Sequence, residues 1–123
     1  MRINIEPNSW QANLAAFGKR NSMRPTRLEV LGPGREMESD FWLEDGLLLA
    51  GIELELDGAN GPYVEIMLQA PADITQNHMT HTVSGVKRME LDTTGGRNEE
   101  LEIEDREGSI TIVRFESEEP AET

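Results

Sequence analysis

At Pro25 the chain changes its hydrophobic period, and that change limits what it can fold into more than any other feature. Before it, Trp10, Leu14 and Phe17 recur at i, i+4 and i+7, which lines three large apolar side chains along one face of a helix. After it, Leu28 and Val30 alternate with Arg27 and Glu29, the pattern of a half-buried strand. Proline cannot continue a helix, and it pushes Arg24 toward extended geometry. The spacing therefore predicts a helix near residues 9–20. Pro7-Asn8-Ser9 offers its N-terminal cap, Lys19 and Arg20 suit its C-terminus, and Asn21 suits a left-handed cap position.

Alternation continues through most of the chain beyond Gly32-Pro33-Gly34. Residues 35–46 read as a polar loop or short lid, interrupted by Phe41, Trp42 and Leu43. Ile52, Leu54 and Leu56 then alternate with Glu53, Glu55 and Asp57. A Gly- and Asn-bearing turn over 57–62 follows, and Tyr63–Leu68 returns as the second arm of a hairpin. Pro71 opens a loop over 71–77. Residues 78–92 read as one long or bent strand, with Gly85 at a bulge or corner. Leu101–Glu104 and Ile110–Phe115 form a last hairpin around Asp105-Arg106-Glu107-Gly108. Serial hairpins favour an antiparallel meander. The expected fold is α+β and mostly β: an N-terminal helix followed by five to six antiparallel strands in a strongly bent sheet or a small SH3-like barrel. The helix would plug the core with Trp10, Leu14 and Phe17. A compact domain over 1–115 and an acidic, disordered tail over 116–123 complete the expectation.

The length of 123 residues fits one domain. No cysteine is present, which excludes disulfides and thiolate metal sites and fits a reducing compartment. No apolar run approaches a membrane span, and residues 1–7 do not read as a secretory leader, so a cytoplasmic location is expected. Charge is uneven. Residues 1–35 carry six basic against two acidic side chains, and residues 36–123 carry five against twenty-two. The net charge of −13 disfavours nucleic acid and favours basic partners, although an acidic surface also serves solubility alone.

His78 and His81 are the only histidines. With a nearby acid such as Glu65 or Glu90 they are candidate metal ligands, but on a regular strand residues three apart point to opposite faces. Glu53, Glu55, Glu65, Glu102 and Glu104 alternate with aliphatics and are expected to face outward, where a row of acids could hold a basic protein. Phe41 and Trp42 form a contact patch if exposed and core if not. The basic residues Lys19, Arg20, Arg24, Arg27 and Arg35 could hold an anion or RNA phosphate, but internal balancing of the acidic sheet is preferred. Asp92–Arg97 is glycine-rich but precedes a strand, so it reads as a turn and not a phosphate loop. No nucleophile elbow or triad setting is visible, and no catalytic residue or cofactor is assigned.

Taken together, Trp10-x3-Leu14-x2-Phe17-x2-Arg20-Asn21, Arg24-Pro25-Thr26-Arg27-Leu28-Glu29-Val30, Val64–Leu68, His78–Val83 and Leu101–Asp105 resemble an uncharacterised family of small bacterial proteins, over about residues 3–115. The resemblance implies a compact intracellular domain and lends no catalytic residues. The order of a helix before a bent sheet is also similar to Sm-like barrels, a likeness of order alone. The expected function is that of a non-enzymatic accessory or interaction protein with a basic partner, with self-association through an edge strand as part of the same expectation. Metal or small-molecule binding at His78 and His81, and Sm-like RNA binding, are the alternatives.

Overall fold

The computed structural model describes residues 2–32, 41–56, 61–70, 78–93 and 99–115, with the backbone alone for 41–46. Its elements are β1 (Arg2–Asn4), a 3₁₀ turn (Pro7–Ser9), α1 (Trp10–Arg20), β2 (Pro25–Leu31), β3 (Phe41–Glu55), β4 (Tyr63–Gln69), β5 (His78–Ser84), β6 (Val86–Asp92), β7 (Glu100–Asp105) and β8 (Ile110–Phe115). All strands join one antiparallel sheet of eight, in the order β1-β6-β7-β8-β2-β3-β4-β5. The α+β, mostly-β expectation holds.

The sheet is bent but not closed. Two meanders, β2 to β5 and β6 to β8, are stitched together where β2 pairs with β8. A single residue, Gly85, then links β5 at one edge to β6 near the other. Such a short link forces the sheet to wrap until its ends approach. Gly85 takes φ +67°, a conformation that costs side-chain-bearing residues about 1 kcal/mol. The chain turns there, with the Val86 amide donating to the Pro62 carbonyl at 3.0 Å and the Arg106 amide to the Gly85 carbonyl at 2.9 Å. The long or bent strand expected over 78–92 is thus two strands meeting at the expected glycine corner.

That split, together with β1, takes the sheet to eight strands where five to six were expected. β1 has no hydrophobic alternation of its own, since Arg2, Ile3 and Asn4 are all exposed, and it is held by pairing with β6. The segment expected as a loop to residue 46 is already strand from Phe41, because the backbone of β3 pairs with β2 across two register shifts. β3 ends at Glu55, which leaves Leu56 exposed. The tail expected over 116–123 and the cation Arg35 lie outside the described residues.

α1 packs against β3 and places Trp10, Leu14 and Phe17 in the core, as the heptad-like spacing predicts. Burying each of these side chains contributes about 1.5–3 kcal/mol. Trp10 also donates from Nε1 to the Ile5 carbonyl at 2.9 Å, which ties the helix start to the chain leaving β1. A Cβ on Gly18 would stand 3.0 Å from Ile52 Cγ2, so glycine is what lets the helix approach β3 this closely.

The cap expectations change. Ser9 makes no side-chain cap bond and instead closes the 3₁₀ turn through its amide to Glu6. Asn21 is not left-handed, with φ −115°, and the positive φ falls two residues later at Met23. Asn21 caps by donating from Nδ2 to the Phe17 carbonyl at 2.9 Å, because its side chain is drawn into a buried polar cluster.

Candidate functional site

Register and burial sort the strand side chains between an inner face, which packs on α1, and an outer face. Glu53 and Glu55 lie on the outer face of β3, alternating with the inward residues Ile52 and Leu54. Glu53 stands directly across from Glu65 on β4, and Glu55 across from Tyr63. The next positions outward, on β5, are Thr82 and Ser84. Glu53, Glu55 and Glu65 make no ion pair with any described residue. Like charges facing one another across strands destabilise a sheet by about 0.2–1 kcal/mol.

Glu102 and Glu104 share the outer face but not these surroundings. Glu102 is only 3% exposed and meets Arg2 Nη1 at 2.8 Å. Arg2 also reaches Glu90 at 3.2 Å and Asp92 at 3.4 Å. Glu104 accepts from Arg88 Nε at 2.7 Å, with Lys87 at 3.7 Å, and Arg88 bridges on to Glu90. Arg114 joins Glu100 at 2.7 Å and the buried Glu29 at 3.3 Å. The five outward acids expected to act together are therefore split between two environments.

His78 and His81 lie on opposite faces of β5, His78 exposed and outward, His81 half-buried and inward. His81 Nε2 stands 3.4 Å from Thr111 Oγ1 on β8, a contact across the inside of the bent sheet. Burial holds its imidazole below the usual histidine value. Among the described residues, no three His, Asp or Glu side chains gather so as to hold a metal ion. Phe41 and Trp42 open β3, in register with Val30 and Glu29, and their side chains lie outside the described residues.

Periodicity carried no signal for a third cluster, at the C-terminal end of α1. Glu99, 6% exposed, accepts from Arg20 Nε and Nη2, both at 2.9 Å, and from Asn21 Nδ2 at 2.8 Å. Asn21 Oδ1 accepts from Arg24 Nη1 at 2.7 Å, and the Arg24 guanidinium lies 4.8 Å from the centre of the Phe115 ring. Burial pushes the Glu99 carboxyl up, but the hydrogen bonds from Arg20 and Asn21 and the charges of Arg20 and Arg24 outweigh it and hold the group below its ordinary value. Arg20 is raised in turn by its bond to Glu99. Part of the N-terminal basic run is thus balanced inside the molecule. The signal available in sequence was the pairing of Arg20, Asn21 and Arg24 with a distant acid, which only the fold identifies as Glu99. The cluster borders a cavity of about 640 Å³ lined also by Asn13, Leu91 and Thr93.

Compared with family models, curated proteins and solved structures, the chain matches none. Among the described residues, no helix is long and apolar enough to cross a membrane.

Proposed function

We propose that the protein is a non-enzymatic interaction module of the cytoplasm that binds a basic protein partner on the outer face of β3 and β4. The observation that carries this reading is the cross-strand pair Glu53–Glu65, with Glu55 beside it, which meets no cation among the described residues, whereas Glu29, Glu90, Glu100, Glu102 and Glu104 each meet an arginine. A Lys- or Arg-bearing surface docked there removes the repulsion and gains charge-assisted contacts. The neighbouring edge strand β5 presents the small hydroxyl side chains Thr80, Thr82 and Ser84, which do not obstruct an approaching chain. Self-association through that edge belongs to the same proposal. The RNA alternative loses its support where Arg20 and Arg24 turn toward Glu99 and Asn21, and the metal alternative where β5 separates the two histidines.

Titration calorimetry of the intact chain with a Lys/Arg-rich peptide, at about 50 mM salt where screening is weak, tests the reading. Replacing Glu53, Glu55 and Glu65 together by Gln should lower affinity at least tenfold. Glu107→Gln, on an exposed turn, should leave it unchanged. Equal loss in both variants would reduce the interaction to the attraction of net charge and sink the proposal.

A further inference from the structure

β5 ends the sheet, and its far side pairs with no strand among the described residues. Every second residue of an outer strand turns its amide and carbonyl away from its neighbour, so a row of backbone donors and acceptors faces outward along His78–Ser84. Sheet edges that stay unpaired are commonly protected by lysine, proline, a bulge or shortness. β5 has none of these protections. It contains no Lys, Arg or Pro, and it pairs with β4 over all 7 of its residues without a register shift. The opposite edge, β1, is 3 residues long and carries Arg2. Beside Thr82 and Ser84 a cleft of about 370 Å³ reaches to Asp105 and Arg106 at the end of β7, which leaves room along that part of the edge.

Register places Thr82 opposite Glu65, and Glu65 opposite Glu53, all in one outward row. A strand added beyond Thr82 continues that row, about 10 Å from Glu65 at two strand spacings. Thr82 is small and exposed, so the long stem of a Lys or Arg can lie across it and bring its charge to Glu65. The residues of β5 on either side of Thr82 face inward. Val83 is buried in the core, His81 is half-buried, and Met79 beyond it packs against the core, so the residues flanking the incoming cation stand beside apolar surface. A second copy brings no such cation, because the outward residues of its own β5 are His78, Thr80, Thr82 and Ser84, and each copy carries a net charge of −13. Resting on the reading of the acidic face as the docking surface, we propose that β5 is a strand-addition edge. It takes up an extended segment of the basic partner, with one Lys or Arg opposite Thr82 and an apolar residue on either side.

Calorimetry of the intact chain with the peptide acetyl-TVKVTV-amide at about 50 mM salt tests this, together with amide hydrogen exchange of β5 followed by NMR. Two isomers of the peptide, N-methylated at the valines or at the lysine and threonines, keep its charge but each lacks the amides of one edge. One should bind like the parent and the other about tenfold more weakly or worse, the effect of losing more than one hydrogen bond. The parent should slow exchange at alternate amides of β5. Thr82→Lys sets a cation beside Glu65 within the chain and should lower affinity about tenfold, with no fall in the urea midpoint. Equal binding by the two isomers would overturn strand addition, and if the Glu53, Glu55 and Glu65 triple variant still lost the peptide, the acidic-face reading would stand without it. Isomers told apart by a chain indifferent to Thr82→Lys would overturn the place of the cation. Protection of β5 that grows with protein concentration and not with peptide would give the edge to a second copy, and that result, or no binding of the parent peptide, would overturn the inference as well.

Discussion

Two tetrapeptides of this chain share one pattern and meet opposite fates. Ile52-Glu53-Leu54-Glu55 and Leu101-Glu102-Ile103-Glu104 both turn their aliphatic side chains inward and their acids outward. On β7 the neighbours are β6 and β8, which with β1 beyond bring Arg2, Arg88 and Arg114 to the acids, and Glu102 is buried. Along residues 52–55 of β3 the paired neighbour is β4, which brings Glu65, and Glu53 stays exposed. Leu31, Ile110 and Ile112 add a small buried apolar cluster on the outer face of the first region, which lowers the dielectric around Glu29 and strengthens its pairing. The pattern within a strand chooses the face. The strands beside it decide whether an acid there holds the fold together or stands available to a partner.

The largest expected break in this contrast is Arg2→Ala. It removes a cation from the buried Glu102 carboxylate, and unfolding in urea should show a loss of about 1–3 kcal/mol at neutral pH. Arg2→Ala with Glu102→Gln should recover part of that loss, since the buried charge is gone. A loss below about 0.5 kcal/mol for Arg2→Ala would mean the pair behaves as an ordinary surface bridge.

Acid comes next. The Glu99 carboxyl lies below its ordinary value of 4.5 in the folded chain, so the unfolded chain takes up its proton first as pH falls. The stabilisation from Glu99 is therefore complete above about pH 4.5 and is lost as pH drops through the depressed folded value. His81 works in the same direction at higher pH. Its lowered value means that the folded chain resists protonation, so its contribution is complete above 6.5 and fades below it. Glu99→Gln should flatten the acid limb of a stability profile, and His81→Gln the limb near neutrality, each measured by urea unfolding across pH.

The smallest effect has the opposite sign. Glu65→Gln should stabilise the protein by a few tenths of a kcal/mol, up to about 1, by relieving the facing charges of β3 and β4. The same variant should weaken binding of a basic peptide. A variant that gains stability and loses binding marks the unpaired face as kept for contact. One that loses stability would show an unrecognised role for Glu65 in the sheet.

Much of the fold was legible because hydrophobic period is a local property. The helix from Trp10, the hairpin around residues 57–62, the last hairpin and the corner at Gly85 all follow from spacing and from the residues that permit tight turns. β1 was not legible. Its three exposed residues carry no alternation, and its strand conformation comes from pairing with β6 about 90 residues away. The start of β3 at Phe41 was hidden for a similar reason, since its register with β2 slips twice. Asn21 was read by its local preference for a helix cap, but the pull of Glu99, which is 78 residues distant, overrides that preference.

By itself, then, the sequence determined where the backbone turns and which side chains face inward, because period, proline and glycine act over a few residues. Only the tertiary structure decided which charges meet. Arg2 finds Glu102, Arg20 finds Glu99, and Glu53 finds Glu65, each across a separation in the chain that no local rule spans. Coulomb energy depends on distance in space and on burial, and both are set only once the sheet has bent and its edges have come together.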